Sequence, residues 1–264
     1  MKRLLITGAA GTLGGFAREH LAGFADELRL SDVTPVTDLA QHETFVAADL
    51  GDKDAVEEVV RGCDGIVHFG GISVEKGFDL IERANLRGVF NLYEAARKHG
   101  NPRIIFASSN HAIGFYPQGQ RIDADAPPLS DGLYGASKVY GEQLAVLYWQ
   151  KFGVETARVR IGSCVPKPLN RRMLSTWLSP RDMFGLAKCC FAVPELGCPV
   201  VYGASHSDTS WWDNSKVAYL GWTPQDSAET YRAEVEAAHP PETVPEDESR
   251  FQGGVFTAYP IYQS

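Results

Sequence analysis

The sequence predicts an α/β fold: a doubly wound parallel sheet with helices on both faces and a small C-terminal cap. Three observations predict it. Short β-branched or apolar runs alternate with helical segments through the first two-thirds of the chain, the pattern that yields a parallel sheet covered on both sides. A glycine-rich turn follows the first run and opens a helix. A carboxylate, Asp32, closes the second run.

In chain order, strands are expected over 3–7, 27–31, 44–47, 65–69, 103–107 and 156–160. Helical segments lie between them. The clearest covers 79–99, where Leu80, Ile81, Ala84, Leu86, Val89, Phe90, Leu92, Ala95 and Ala96 recur at helical spacing and Gly100 supplies a stop. After Arg160 the rhythm breaks into loops rich in Pro, Trp and Asn, with helices expected over 181–192 and 228–238. This region reads as a cap over a substrate site, so residues 1–264 form one domain in which roughly 161–238 supply the cap. The stretch 239–248 is Pro-rich and acidic and reads as an exposed linker. The tail beyond it, 251–262, regains aromatic and apolar character and is expected to pack on its own body or on a neighbouring subunit.

Composition narrows the function classes. A chain of 264 residues, 44% hydrophobic and 22% charged, without low-complexity tracts, reads as an ordinary globular protein. Its net charge of −8 and the lack of a basic stripe argue against a nucleic-acid partner, because a phosphate backbone rewards clustered Lys and Arg. No apolar run approaches the ~20 residues needed to span a bilayer. The first strand begins within a few residues of Met1 and Gly8 turns the chain, which leaves no room for a secretory leader. A cytoplasmic protein is expected. The five cysteines, Cys63, Cys164, Cys189, Cys190 and Cys198, are scattered without a CxxC pair or a histidine at metal-ligand spacing, which argues against a disulfide framework or a zinc site. Cys189 and Cys190 read as small buried hydrophobes of a helix.

The glycine-rich turn is Thr7-Gly8-Ala9-Ala10-Gly11-Thr12-Leu13-Gly14. Gly8 permits the tight turn, Gly11 lets the backbone approach a pyrophosphate, and Gly14 allows close helix–strand packing. The helix N-terminus offers unpaired N–H groups and a positive dipole end to the phosphates. Asp32 lies near the ~20-residue spacing of the acid that holds adenosine ribose hydroxyls. Its charge repels a 2′-phosphate, so with Val33 beside it the fold is read as Rossmann-type and the cofactor as NAD. Asp49 is either an adenine contact or a helix N-cap, and Leu50 is expected to line the pocket. Phe69-Gly70-Gly71, at the end of the fourth strand, lets the chain pass close to the dinucleotide.

Tyr134 and Lys138 stand four residues apart at a helix start, hence on one face. A free phenol ionises near pH ~10, and a neighbouring cation together with oxidised nicotinamide favours the phenolate. The pair is suited to proton transfer.

With the glycine turn, Asp32, Asn85 and Ser108-Ser109 at the end of the fifth strand, this pair resembles the extended branch of the short-chain dehydrogenase/reductases over nearly the whole chain. The glycine pattern GxxGxxG fits that superfamily rather than the classical dehydrogenases. The resemblance implies that Ser109 polarises the substrate oxygen and that Lys138 also holds the nicotinamide ribose. Asn85 takes the family's central-helix asparagine position, with a proton-relay or a structural role. A narrower resemblance, to the uronate dehydrogenases, rests on seven segments: Gly70-Gly71-Ile72-Ser73-Val74-Glu75-Lys76, Ser108-Ser109-Asn110-His111, Arg160-Ile161-Gly162-Ser163-Cys164, Arg172-Met173-Leu174-Ser175-Thr176-Trp177, Leu196-Gly197-Cys198-Pro199-Val200-Val201, Trp211-Trp212-Asp213-Asn214 and Phe251-Gln252-Gly253-Gly254. It implies oxidation of glucuronate and galacturonate at C1 to an aldaro-lactone.

By that resemblance Arg172 grips the sugar carboxylate, Ser73, Asn110, His111 and Ser163 read ring hydroxyls or the carboxylate, and Cys164 touches the nicotinamide. Each residue also has a plainer reading: Arg172 as a solvated loop charge, His111 as a local turn cap, Trp211 and Trp212 as packing. Homo-oligomers are implied, in line with the apolar tail. Two other functions share the fold. A nucleotide-sugar epimerase or dehydratase needs a larger C-terminal region with more phosphate-binding cations than this chain has, and an intact Ser109/Tyr134/Lys138 set argues against a catalytically silent NAD-sensing regulator.

Overall fold

A computed structural model describes residues 1–262. Its centre is a seven-stranded sheet of β1 (Arg3–Thr7), β2 (Glu27–Asp32), β3 (Glu43–Ala47), β4 (Gly65–His68), β5 (Arg103–Ser109), β6 (Thr156–Ile161) and β7 (Val200–Gly203). The strands lie in the order β7-β6-β5-β4-β1-β2-β3 and every neighbouring pair is parallel. Strand order reverses at β1, which pairs with β2 on one side and β4 on the other. A crevice opens beyond the carboxyl ends of the strands at such a switch point.

Side chains alternate between the two faces of each strand. Leu4 and Ile6 enter one apolar cluster together with Leu28, Leu30, Val67 and Val159, while Leu5 enters a second with Ile66, Ile104 and Phe106. Because helices cover both faces, the inner strands β1, β4 and β5 carry continuous apolar runs, while β2 alternates, with Leu28 and Leu30 buried and Arg29 half-buried. All six expected strands form, with ends displaced by one or two residues. β5 runs on to Ser109 because Ser108 and Ser109 stay in register with Arg160 and Ile161.

The seventh strand is a correction. Val200–Gly203 falls inside the stretch expected to be cap, yet it pairs with β6 from Val200 opposite Arg158 to Gly203 opposite Ile161. Four residues that follow Pro199 and end on a glycine are too few to show a period. The helix Pro180–Ala192 also belongs to the body, since Met183, Phe184, Leu186, Ala187 and Cys190 share the core cluster of Leu4 and Ile6. Cys190 is the small buried hydrophobe expected; Cys189 is half-buried.

The helix expected over 79–99 forms as Phe78–Ile81, a π-helical turn at Glu82–Arg87 and an α-helix at Gly88–Lys98. Such wide turns cluster at functional sites, and this one carries the buried Asn85. The helix expected over 228–238 opens as a 3₁₀ turn, Ala228–Tyr231, before Arg232–Ala238. The linker holds short helical turns at Pro241–Thr243 and Glu246–Arg250.

The tail packs on its own body. Phe251 bridges Pro117, and Gln252 is fully buried, accepting from Trp212 Nε1 at 2.8 Å and donating to the carbonyls of Gln120 at 2.8 Å and Pro117 at 3.2 Å. Trp211 and Trp212 pack with Ile113, Ile122 and Tyr202, the plainer of their two readings. Gln263 and Ser264, the end of the expected tail, lie outside the described residues.

Candidate active site

The crevice beyond β1 and β4 is a cavity of about 360 Å³. Its floor is the glycine turn. Gly8 has φ +70°, and a Cβ there would stand 2.8 Å from Gly70 N, so the turn after β1 presses on the segment after β4. Gly14 lies beneath the turn, where a Cβ would meet Gly8 O at 2.4 Å; that is the close helix packing expected of it. Gly11 is the N-cap of the helix Thr12–His20 and offers no side-chain cap, so the first-turn amides keep no side-chain acceptor. Thr12 and Leu13 continue the same wall.

Asp32 and Val33 line the cavity at the end of β2. The Asp32 carboxylate is fixed by Ala10 N at 3.1 Å and Thr34 N at 3.0 Å. Asp49 lines it too, but is not a helix cap. That role belongs to Asp52, which accepts from Asp54 N and Ala55 N. Asp49 instead accepts from Gly51 N at 2.8 Å and from Arg83 Nη2 at 2.8 Å, and the guanidinium holds its pKa below the ordinary carboxylate value. Leu50, Phe69, Gly70 and Gly71 complete the wall. A Cβ on Gly70 would come within 2.8 Å of Leu50. Lys138 and Cys164 are not part of this wall.

Tyr134 and Lys138 sit on the helix Leu133–Phe152, whose buried stripe starts polar, with Tyr134, Ser137, Lys138 and Glu142, and ends apolar, with Leu144, Ala145 and Tyr148. Gly135 and Gly141 let the helix lie directly on the end of β5: a Cβ at either would fall 2.2 Å from His111 O or 2.3 Å from the Phe106 ring. Glu142 accepts from Ser108 Oγ at 2.6 Å and from Arg160 Nε and Nη2 at 2.9 Å each. This buried ion pair ties the helix to β5 and β6.

The Tyr134 phenol is buried, and burial pushes its pKa up to about 12; a hydrogen bond with the Ser109 side chain opposes that rise and the Asp131 charge adds to it. Burial also brings Lys138 down to about 8. Its Nζ lies 5.6 Å from the Tyr134 ring centroid and 5.4 Å from that of Phe106. Beneath it, His68 is fully buried and kept neutral, its pKa lowered to about 3 by burial and by the Lys138 charge.

Asn85 shows how the loop after β4 is attached. Its Oδ1 accepts from Ile72 N at 2.7 Å, and its Nδ2 donates to Ile72 O and to Ser137 Oγ, both at 2.9 Å. The amide is occupied as a tie between that loop and the helix Leu133–Phe152. Glu75 makes a second tie, accepting from Leu133 N at 2.9 Å and Tyr134 N at 3.0 Å. The helix N-cap, Gly132, has no side chain to do this. Between the two ties Ser73 stands exposed and lines the cavity.

The remaining expected residues meet on the far side of Ser109. Asn110 is buried, and with its amide turned to satisfy both neighbours the nitrogen donates to Ile161 O at 3.1 Å and the oxygen accepts from Arg172 Nη2 at 2.6 Å. Arg172 is half-buried and its Nε donates to Gln252 O at 2.7 Å, so it is no solvated loop charge. His111 is held at Nδ1 by Asp131 Oδ2, 2.6 Å away. Its ring stacks on Phe256 at 3.9 Å between centroids and stands edge-on to Tyr134 at 5.7 Å. Ser163 Oγ lies 3.3 Å from Thr176 Oγ1. Cys164 follows it, and burial raises that thiol to about 12, so it stays protonated.

Glu75, Asp131, Gln252 and Phe256 were not foreseen as site residues. Glu75 and Gln252 stand inside segments quoted above for resemblance, which was the available signal. Nothing local marks Asp131 or Phe256. Among the described residues no three His, Cys, Asp or Glu side chains gather to hold a metal ion, and no helix is long and apolar enough to cross a membrane.

A buried phenol beside a serine hydroxyl, with an ammonium on the same helix face and a glycine-lined crevice nearby, is equipped to move a proton next to a bound redox cofactor. Comparison with known proteins agrees. The description "NAD dependent epimerase/dehydratase family" matches residues 4–179. The chain is 55% identical over 263 residues to a uronate dehydrogenase of Agrobacterium fabrum, covering 100% of this chain and 99% of that one. It is 53% identical over 256 residues to a uronate dehydrogenase of Pseudomonas putida, covering 96% and 95%. Among solved structures, a tyrosine-to-alanine variant of uronate dehydrogenase from Agrobacterium tumefaciens complexed with NAD superposes with a TM-score of 0.98 at 55% identity over 100% of both chains.

Proposed function

Because the chain belongs to the NAD-dependent epimerase/dehydratase family and, within it, to the uronate dehydrogenases, we propose that it oxidises a hexuronic acid, D-glucuronate or D-galacturonate, at C1 to the aldaro-lactone with NAD as cofactor. One observation carries this reading: Asn110, next in sequence to Ser109, hydrogen-bonds Arg172. A guanidinium suited to a carboxylate is thereby held one side chain away from the Ser109–Tyr134 pair.

The crevice fits NAD. Gly8 and Gly70 let the loops after β1 and β4 lie against each other along it, since a Cβ there would clash with Gly70 N or Leu50; the amides at the start of Thr12–His20 suit a pyrophosphate, and the Asp32 carboxylate accepts from ribose hydroxyls and repels a 2′-phosphate. Gly8, Gly11, Thr12 and Leu13 would hold the phosphates, Asp32 and Val33 the adenosine ribose, and Asp49 and Leu50 the adenine. Phe69, Gly70, Gly71, Lys138 and Cys164 would hold the nicotinamide half. Bound NAD supplies the hydride acceptor.

The chain's own side chains do the rest. Tyr134 takes the proton of the C1 hydroxyl at its phenolic oxygen, Ser109 donates to the same substrate oxygen, and the Lys138 charge favours the phenolate. Arg172 binds the sugar carboxylate, while Ser73, Asn110, His111 and Ser163 contact the remaining polar groups.

The same reading keeps residues 1–264 as one domain, with the parts of 161–238 outside Pro180–Ala192 and β7 as cap. It makes the chain a cytoplasmic homo-oligomer. The five free thiols suit a reducing compartment. The outer face of Leu133–Phe152 supports self-association: Ala136, Tyr140, Gln143 and Leu147 are exposed without a charge among them, and Phe90 on the neighbouring helix is exposed as well.

The test is reduction of NAD, followed by absorbance, with free uronates, neutral hexoses and nucleotide sugars as substrates. Reduction with free uronates alone is expected. Reduction with neutral hexoses at equal efficiency, or with no substrate at all, overturns the reading.

A further inference from the structure

Asp131 is the least explained polar group near the site. Its side chain is 1% exposed. Oδ2 meets His111 Nδ1 at 2.6 Å, and Oδ1 is buried without a partner among the described residues. An ionised carboxylate accepts up to about four hydrogen bonds, so leaving one of its oxygens bare in the interior costs free energy. A group kept at that cost calls for a reason.

The surroundings are shaped for this carboxylate. A Cβ at Gly114 would lie 1.9 Å from Asp131 Oδ2, and one at Gly253 would lie 2.0 Å from it. Gly253 N donates to Gly114 O at 2.8 Å, so the turn after β5 and the C-terminal tail close on each other over the carboxylate. The imidazole it holds is fixed in plane by Phe256, stacked at 25°. Asp131 sets the rotation of the ring and Phe256 its tilt.

We propose that Asp131 is a positioning residue that locks His111 as the Nδ1–H tautomer, so that Nε2 faces the substrate as a hydrogen-bond acceptor and selects a sugar hydroxyl. The inference rests on the uronate reading above and sharpens it. A carboxylate only accepts, so the hydrogen of this bond belongs to Nδ1. In the neutral ring Nε2 then carries the lone pair. It has no partner among the described residues, and the His111 side chain keeps 12% exposure. A lone pair attracts a hydroxyl and repels a carboxylate oxygen. His111 therefore reads a ring hydroxyl and leaves the carboxylate to Arg172, a division that the sequence left open.

The test has a spectroscopic arm and a kinetic arm, both on the full-length chain. Imidazole ¹⁵N spectra of histidine-labelled protein, with His111 identified by its loss in H111A, should show a protonated Nδ1 and a bare Nε2 in the wild type. D131N should lose that preference. A protonated Nε2 with bare Nδ1 in the wild type overturns the lock, and this readout stands even if D131N does not fold.

In the kinetic arm, D131N should raise the uronate KM at least tenfold while the NAD KM stays within twofold. D131N should change nothing further in an H111A background, because Asp131 acts only through His111. Unchanged uronate kinetics in D131N, or the same loss in both backgrounds, overturns the proposal. Absence of wild-type turnover with every uronate sinks the functional reading instead, and the spectra still decide the lock.

Discussion

The two walls of the site are built differently. The cofactor wall is made of backbone from short stretches, with Gly8, Gly11 and Gly14 within one turn and Gly70 and Gly71 at the end of β4. The proposed substrate wall is made of side chains that meet only in the folded chain. Arg172 and Gln252 are 80 residues apart, His111 and Asp131 are 20 apart, and Phe256 arrives from the tail. A wall of backbone can be written as a local motif, whereas a wall of converging side chains cannot. The two should therefore fail separately.

Lys138→Met strikes at their junction and should have the largest effect of the three substitutions that separate the walls. Removing the cation should lower turnover by about 10²–10³-fold, the lower part of the range for an assisted proton transfer. The fold should gain stability, because burial holds the Lys138 pKa at about 8 against an ordinary 10.5. With the folded pKa depressed, the unfolded chain binds more protons between pH 8 and 10.5, so wild-type stability rises with pH through that window. The Met variant should lack that rise and melt a few degrees higher at pH 7, by roughly 1–3 kcal/mol. A lower melting point would mean that the ammonium has a stabilising partner.

Arg172→Ala tests the substrate wall alone. Loss of a charge-assisted contact is worth about 1.5–3 kcal/mol, so the uronate KM should rise roughly 10- to 100-fold in steady-state assays while the NAD Kd holds. Equal losses in both constants would break the separation of the walls.

Asp32→Ala tests the other side and should be the mildest of the three. Calorimetric titration should show NAD binding weakened about tenfold, with NADP gaining relative to NAD as the repelling charge goes. The uronate KM at saturating NAD should not move.

Legibility followed the same division. The glycine turn, Asp32 and the Tyr134–Lys138 spacing were readable because the chemistry and its geometry lie within a few residues of one another. Strands β1, β4 and β5 were readable because burial on both faces gives continuous apolar runs, and β2 because Leu28 and Leu30 alternate with polar residues. β7 was not, since four residues beside a proline carry no period. The wide turn around Asn85 was hidden for a related reason. One extra residue in a helical turn leaves the apolar spacing of Phe78–Lys98 almost unchanged, while it decides that the Asn85 amide faces Ile72 and Ser137. Asp131 was invisible as a site residue because nothing local sets a carboxylate apart until the fold places it against His111.

The central claim is that Tyr134 moves the proton while the cofactor wall stands without it. Tyr134→Phe measured for NAD affinity and for uronate turnover on one preparation tests this most directly. The expected result is a wild-type NAD Kd with turnover reduced by about 10³-fold or more; turnover above a tenth of wild type, with NAD still bound, would contradict it.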